Sequence, residues 1–146
     1  MSRLAQHLAR IDVLRVRAFP HQRTEEADVV SGPGYHLAEL ARSEGFWGDD
    51  GTARAGLGEE YEAECGALST LLSARWGEPQ LLGMGGALIR GTEGEEIPEP
   101  WRELSGTTPY VELWRAEERW IAVAVTQRGP ELPLQLLAAV TVNDPP

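Results

Sequence analysis

The hydrophobic pattern of this chain changes period between residues 57 and 142, and that change restricts the fold more than any other feature. Apolar residues first recur at about 3.6 positions and later at about 2, so a helix is followed by strands. Leu57, Tyr61, Cys65, Leu68, Leu72 and Trp76 share one helical face, and Leu71 widens it. Glu59, Glu60, Glu62 and Glu64 crowd the early turns and Arg75 sits in the last, which suits the helix dipole at both ends. Gly77 can adopt the left-handed conformation that ends helices, and Pro79 prevents a restart. Gly56, Gly58 and Gly66 each oppose the helix by about 1 kcal/mol relative to alanine, so the start lies between Thr52 and Glu59.

Residues 110–115 and 120–128 are rich in aromatic and β-branched side chains. The polar run Ala116-Glu117-Glu118-Arg119 between them suits a hairpin. Gly129-Pro130 breaks the chain. Residues 134–142 predict a further strand with Leu134, Leu136, Ala138 and Val140 on one side; a short helix opened by Pro133 is the alternative. Residues 80–90 read as a weaker strand, interrupted by Gly83, Gly85 and Gly86.

If Arg115 pairs with Trp120, then Tyr110, Glu112, Trp114, Ile121, Val123 and Val125 share one face. Val111, Leu113, Arg115, Trp120, Ala122 and Ala124 share the other. Both faces are largely apolar, whereas a sheet with one wet face alternates cleanly. Both should therefore be covered, one by the long helix and the other by the N-terminal third or a second subunit.

That third has its own pattern. Ser2 can cap a helix carrying Leu4, Leu8, Ile11 and Leu14, although residues 13–19 also alternate as a strand would. Pro20 ends either element. Ser31-Gly32-Pro33-Gly34 is a turn, and Tyr35 and His36 lead into a short helical stretch through Arg42. Residues 45–51 and 91–100 read as loops.

The expected fold is a single α+β domain over residues 1–146. A mostly antiparallel sheet of about four strands in 80–142 packs against a long amphipathic helix over 52–77. Residues 1–48 form a helical and loop segment.

Charge separates the ends. Residues 1–23 hold five arginines and one acid, and residues 24–146 hold eight arginines and 22 acids, for a net charge of −10. An acidic body repels phosphate backbones, so direct nucleic-acid binding is not expected. The basic beginning is better explained by packing on that body. It lacks the continuous apolar core of a secretory signal, and no apolar run approaches the roughly 20 residues of a membrane span. The absence of lysine among the 13 basic residues fits a GC-rich genome.

The motifs for chemistry are weak. Gly83-Met84-Gly85-Gly86 lacks the lysine and Ser/Thr of a phosphate loop and reads as a glycine-bent strand without a following helix. Asp49-Asp50-Gly51 lacks the later oxygen ligands of a calcium loop. His7, His21 and His36 show no zinc spacing, and Cys65 stands alone on the apolar helical face. No Gly-x-Ser-x-Gly elbow occurs. No metal or cofactor is expected.

These features predict a cytoplasmic, non-enzymatic interaction module whose acidic surface meets a basic protein: an inhibitor, an immunity-type protein or a chaperone-like adaptor. The candidate contacts are Trp47, Asp49 and Asp50 in one loop and Glu95, Glu96 and Trp101 around the other, aromatic anchors rimmed by acids. The alternative is a small-molecule-binding domain or modest enzyme with a pocket between helix and sheet at Tyr110, Glu112 and Trp114. Glu112 on a buried face needs an arginine partner or a proton of its own. Monomer and homodimer both remain open.

Overall fold

In the computed structural model, which describes residues 2–146, the Ser2 hydroxyl accepts the Ala5 N–H at 3.1 Å and opens α1 (Arg3–Val16). Leu4, Leu8, Ile11 and Leu14 face the core. The basic side chains of α1 are tied to the acidic body: Arg3 meets Glu64 at 2.9 Å and Arg10 donates to the Glu39 carbonyl at 2.7 Å.

A three-strand meander follows, β1 (Thr24–Glu26), β2 (Val29–Gly32) and β3 (Tyr35–Arg42). α1 is the helix expected in the N-terminal third, but residues 24–42 are strands, and the helical stretch expected through Arg42 is β3. Ala, Leu and Glu in 37–41 favour a helix locally. Pairing overrides them, because an extended chain buries Tyr35 and Leu37 on one face and Ala38 and Leu40 on the other. Gly34, at φ 80°, makes the β2–β3 turn; a Cβ there would stand 2.7 Å from the Asn143 Oδ1.

α2 (Thr52–Trp76) spans 25 residues and buries Tyr61, Cys65, Leu68 and Leu72. Leu71 falls outside the stripe and is exposed. Gly77, at φ 86°, ends the helix. β4 (Gln80–Gly83) is followed at once by α3 (Gly85–Thr92), so the expected weak strand over 80–90 is only half strand, and a helix does follow the glycines. The Met84 N–H bonds the Pro109 carbonyl and closes the strand, and the Leu88 N–H bonds the Met84 carbonyl and starts the helix. Burial of Met84 and Ala87 offsets the poor helix propensity of Gly85 and Gly86. α4 (Trp101–Ser105), β5 (Tyr110–Ala116), β6 (Arg119–Gln127) and β7 (Leu134–Thr141) complete the chain, and β7 settles the open choice at 134–142 for strand.

All neighbouring strands are antiparallel, in the order β1-β2-β3-β7-β6-β5-β4. The sheet therefore has seven strands rather than about four. Arg115 pairs with Trp120, which sets both hairpin faces as read from the sequence. α1 and α2 cover the face with Trp114, Ile121, Val123, Leu136 and Val140. The opposite face, with Val111, Leu113, Ala122, Ala124 and Ala139, is covered by α3, Ile97 and α4. The N-terminal third or a second subunit was expected there; the N-terminal helix instead lies beside α2. The alanines of β6 and β7 leave room for the bulky Trp101 and Met84. Among the described residues, no helix is long and apolar enough to cross a membrane.

Candidate functional site

A groove of about 550 Å³ lies between α3 and α4. Ala87, Leu88 and Ile97 give it an apolar side, and Glu95, Glu96 and Glu99 line it together with Arg102, while Arg90 stands just outside against Glu95. The loop of residues 93–100 builds it. Buried Ile97 anchors the loop to the sheet, so the flanking glutamates face out. Glu95 is held by Arg90 at 3.1 Å. Glu99 accepts the Glu103 N–H at 2.9 Å and its carbonyl accepts from the Asn143 Nδ2. The groove wall is thus fixed at both ends while Glu96 stays exposed.

Trp101 does not reach this surface. It is fully buried, and its Nε1 donates to the Asn143 carbonyl at 3.1 Å. The ring lies in the core behind α4 rather than on the surface, where the sequence reading had it.

Trp47, Asp49 and Asp50 lie elsewhere. Phe46 N–H bonds the Glu131 carbonyl and Ser43 N–H bonds the Leu134 carbonyl, at the start of β7; the Glu99 contact to Asn143 is at its far end. The two acidic loops therefore do not form one surface. Trp47 is 75% exposed. Asp49 accepts the Ala53 and Arg54 N–H groups at 3.1 Å, and Asp50 accepts the Thr52 N–H at 3.0 Å. These bonds satisfy donors at the start of α2, where the negative charge also meets the positive end of the dipole.

The helix–sheet site is narrow. A slot of about 140 Å³ lies among Glu62, Cys65, Gly66, Tyr110, Glu112 and Val125. Glu112 is half-buried, and its partner is the Ser69 hydroxyl, donating at 2.9 Å, rather than an arginine. Trp114 is buried behind the slot and donates from Nε1 to the Gly77 carbonyl at 3.0 Å, so it pins the end of α2 and lines no pocket wall there. Burial, with the charges of Glu112 and Glu62, pushes the Cys65 thiol up to about 12. Such a thiol carries almost no thiolate at neutral pH and is a poor nucleophile.

A second cleft, about 280 Å³, lies on the α4 side of the sheet over β3 and β7. Tyr35, Leu37 and Gln135 contribute to its floor. Its arginines are neutralised internally: Arg23 by Glu25 at 3.5 Å, Arg42 by Glu39 at 2.9 Å and Arg128 by Glu103 at 2.7 Å. Gln135 also donates to the Glu39 carboxylate.

One polar pair escaped the sequence reading. Ser31 and His36 stand opposite each other in the β2–β3 ladder, and the Ser31 Oγ lies 2.5 Å from the His36 Nδ1. The Arg17 carbonyl can only accept, so the His36 Nε2 carries the proton at 3.2 Å and Ser31 donates to Nδ1. A nucleophile and base in contact usually suggest catalysis. Here the bonds tie the hairpin to the chain leaving α1, with Phe19 over the imidazole at 4.7 Å. No signal marked this pair, because neither β2 nor β3 was legible as a strand.

His36 nevertheless has a measurable consequence. Burial holds its pKa below the ordinary value; the Arg17 carbonyl opposes the shift, and the charges of Arg119 and Arg17 add to it. The unfolded chain then binds more protons than the folded one between that lowered value and about 6.5. Stability is fully present above about pH 6.5 and declines as pH falls through the window, by at most about 1.4 kcal/mol per pH unit. Urea unfolding between pH 7 and 5 should show a smaller decline in His36→Gln than in the parent chain; parallel curves would exclude His36 as the source.

Among the described residues, no cluster of three or more His, Cys, Asp or Glu is gathered for a metal ion. No protein-family model matches this chain, and no curated protein or solved structure is detectably similar to it.

Proposed function

We propose that this chain is a non-enzymatic interaction protein, of the inhibitor, immunity or adaptor kind, that receives a basic segment of another protein in the α3–α4 groove. The observation that supports this most is the composition of the groove, an apolar side bordered by one arginine and three carboxylates, of which only Glu95 is ion-paired, to Arg90. An apolar anchor with flanking arginines or lysines is its complement in shape and charge. The net charge of −10 would add long-range steering that weakens with salt. Trp47 and the α2 start would serve as a separate, weaker contact.

A ligand pocket at Tyr110 and Glu112 is the second reading. A slot of about 140 Å³ is small beside the roughly 300–1,000 Å³ of ordinary ligand sites.

The test is capture of partners from host lysate with the tagged chain at low and high salt, followed by the doubly reversed variant Glu95→Lys/Glu96→Lys. A basic protein near stoichiometry, released by salt, is expected. The variant should bind it more weakly by about 1–3 kcal/mol, roughly 5- to 150-fold. Unchanged affinity would remove the groove from the interface, and a captured protein that is acidic or salt-insensitive would remove the electrostatic basis of the proposal.

A further inference from the structure

The two edges of the sheet differ. β1 is three residues long, fully exposed and carries Glu25 and Glu26, charges that discourage another strand from pairing. β4, at the other edge, has no charged residue. No charged side chain occurs anywhere in residues 79–89, although the chain as a whole is strongly acidic. The same stretch holds three of the exposed large apolar side chains: Leu81 at 71%, Ile89 at 59% and Leu88 at 45%.

The hydrogen-bond pattern shows which backbone groups of β4 face outward. Leu82 pairs with Val111, and the Met84 N–H bonds the Pro109 carbonyl. Residues 80, 82 and 84 therefore direct their N–H and C=O groups toward β5. By the alternation of an antiparallel ladder, Leu81 and Gly83 direct theirs away from the sheet. Pro79, whose missing N–H would spoil a central strand, also stands on this outward side.

We propose that a second copy of this chain docks on the β4 edge, antiparallel, with a two-fold axis at Leu81, so that one sheet continues through both subunits. In this register Leu81 exchanges both backbone bonds with its own copy. The Gly83 N–H of each subunit reaches the Pro79 carbonyl of the other, and the Gly83 carbonyl, which faces a proline nitrogen without a hydrogen, stays with solvent. An axis perpendicular to the sheet brings like faces together, and the exposed Leu81 side chains meet beside the α2 layer.

Charge favours a copy of the same chain at this place. A two-fold axis sets every nearby charge against its own image, which is unfavourable over most of an acidic body. The uncharged run at 79–89 avoids that penalty. The register also sets Glu78 opposite Met84 of the other copy, at the start of α3. That helix has no side-chain cap and no acid in its first turn, so a carboxylate arriving there meets unsatisfied N–H groups and the positive end of the dipole. This inference is independent of the groove and its partner.

Sedimentation of the full chain at low and high salt tests it. The expected result is a concentration-dependent dimer that persists or strengthens at high salt, because the contact is apolar and the two bodies repel. Leu81→Pro removes an outward N–H without touching the β4–β5 bonds, and Leu81→Lys places like charges on the axis. Each should weaken the dimer by roughly tenfold or more with an unchanged circular dichroism spectrum. Glu78→Gln should weaken it less, and Val16→Asp, at a 78% exposed side chain away from the edge, should leave it intact. A chain monomeric at both salts, or a dimer that survives Leu81→Lys, overturns the proposal; the lysine variant decides the question even if the proline variant fails to fold.

Discussion

Trp101→Ala is expected to destabilise the fold by about 3–5 kcal/mol, the largest effect among the five tryptophans together with Trp114. Trp101 is fully buried against the alanine-rich face of β6 and β7, and truncation leaves a cavity that the packed strands cannot close. It also strands the Asn143 carbonyl, which the indole Nε1 now serves. By contrast, Trp47→Ala should change stability by no more than about 0.5 kcal/mol, since the ring is 75% exposed. Urea unfolding of the two variants, followed by circular dichroism, separates a core residue from a surface one. Equal small losses would mean that Trp101 is not seated beneath α4. The difference bears on function, because loss of partner binding in Trp101→Ala would report a disturbed groove, whereas loss in a folded Trp47→Ala would report direct contact.

Leu68→Ala should lose about 2–5 kcal/mol, whereas Leu71→Ala should lose less than about 1 kcal/mol. Both lie near the middle of α2, three residues apart. Leu68 is completely buried between the helix and the sheet, and Leu71 is 37% exposed, outside the buried stripe. Intrinsic propensity slightly favours alanine over leucine at both positions, so the contrast isolates packing. Denaturant midpoints at constant slope would measure it. Similar losses at the two sites would contradict the orientation of α2 on the sheet.

The candidate site was legible only in part. The acidic character of residues 93–99 is plain in the sequence, and so is their loop conformation. Their conversion into a groove wall depends on Ile97 reaching the core and on Asn143 bonding the Glu99 carbonyl, 44 positions away. The Asp49 and Asp50 side chains read from the sequence as partner contacts in a loop, and the structure instead has them accept N–H groups at the start of α2. Trp101 and Trp114 were visible as large aromatics, but burial is a property of what packs over them. Glu112 stood on the expected face; its serine partner comes from α2, 43 residues earlier.

Local patterns determined α2, the β5–β6 hairpin with its register, and the two-sided burial of the sheet. Each of these rests on side-chain periodicity or on a turn, which operate within a few residues. Tertiary structure alone decided that residues 35–42 are a strand, because their composition suits a helix and only pairing with β7 makes the extended form bury both faces. It also decided that 85–92 coil into α3 despite three glycines, since Met84, Ala87 and Ile97 need a shared core to bury them. The same rule explains which face each layer covers and which edge stays bare: these depend on contacts between distant segments, whose energies no local window contains.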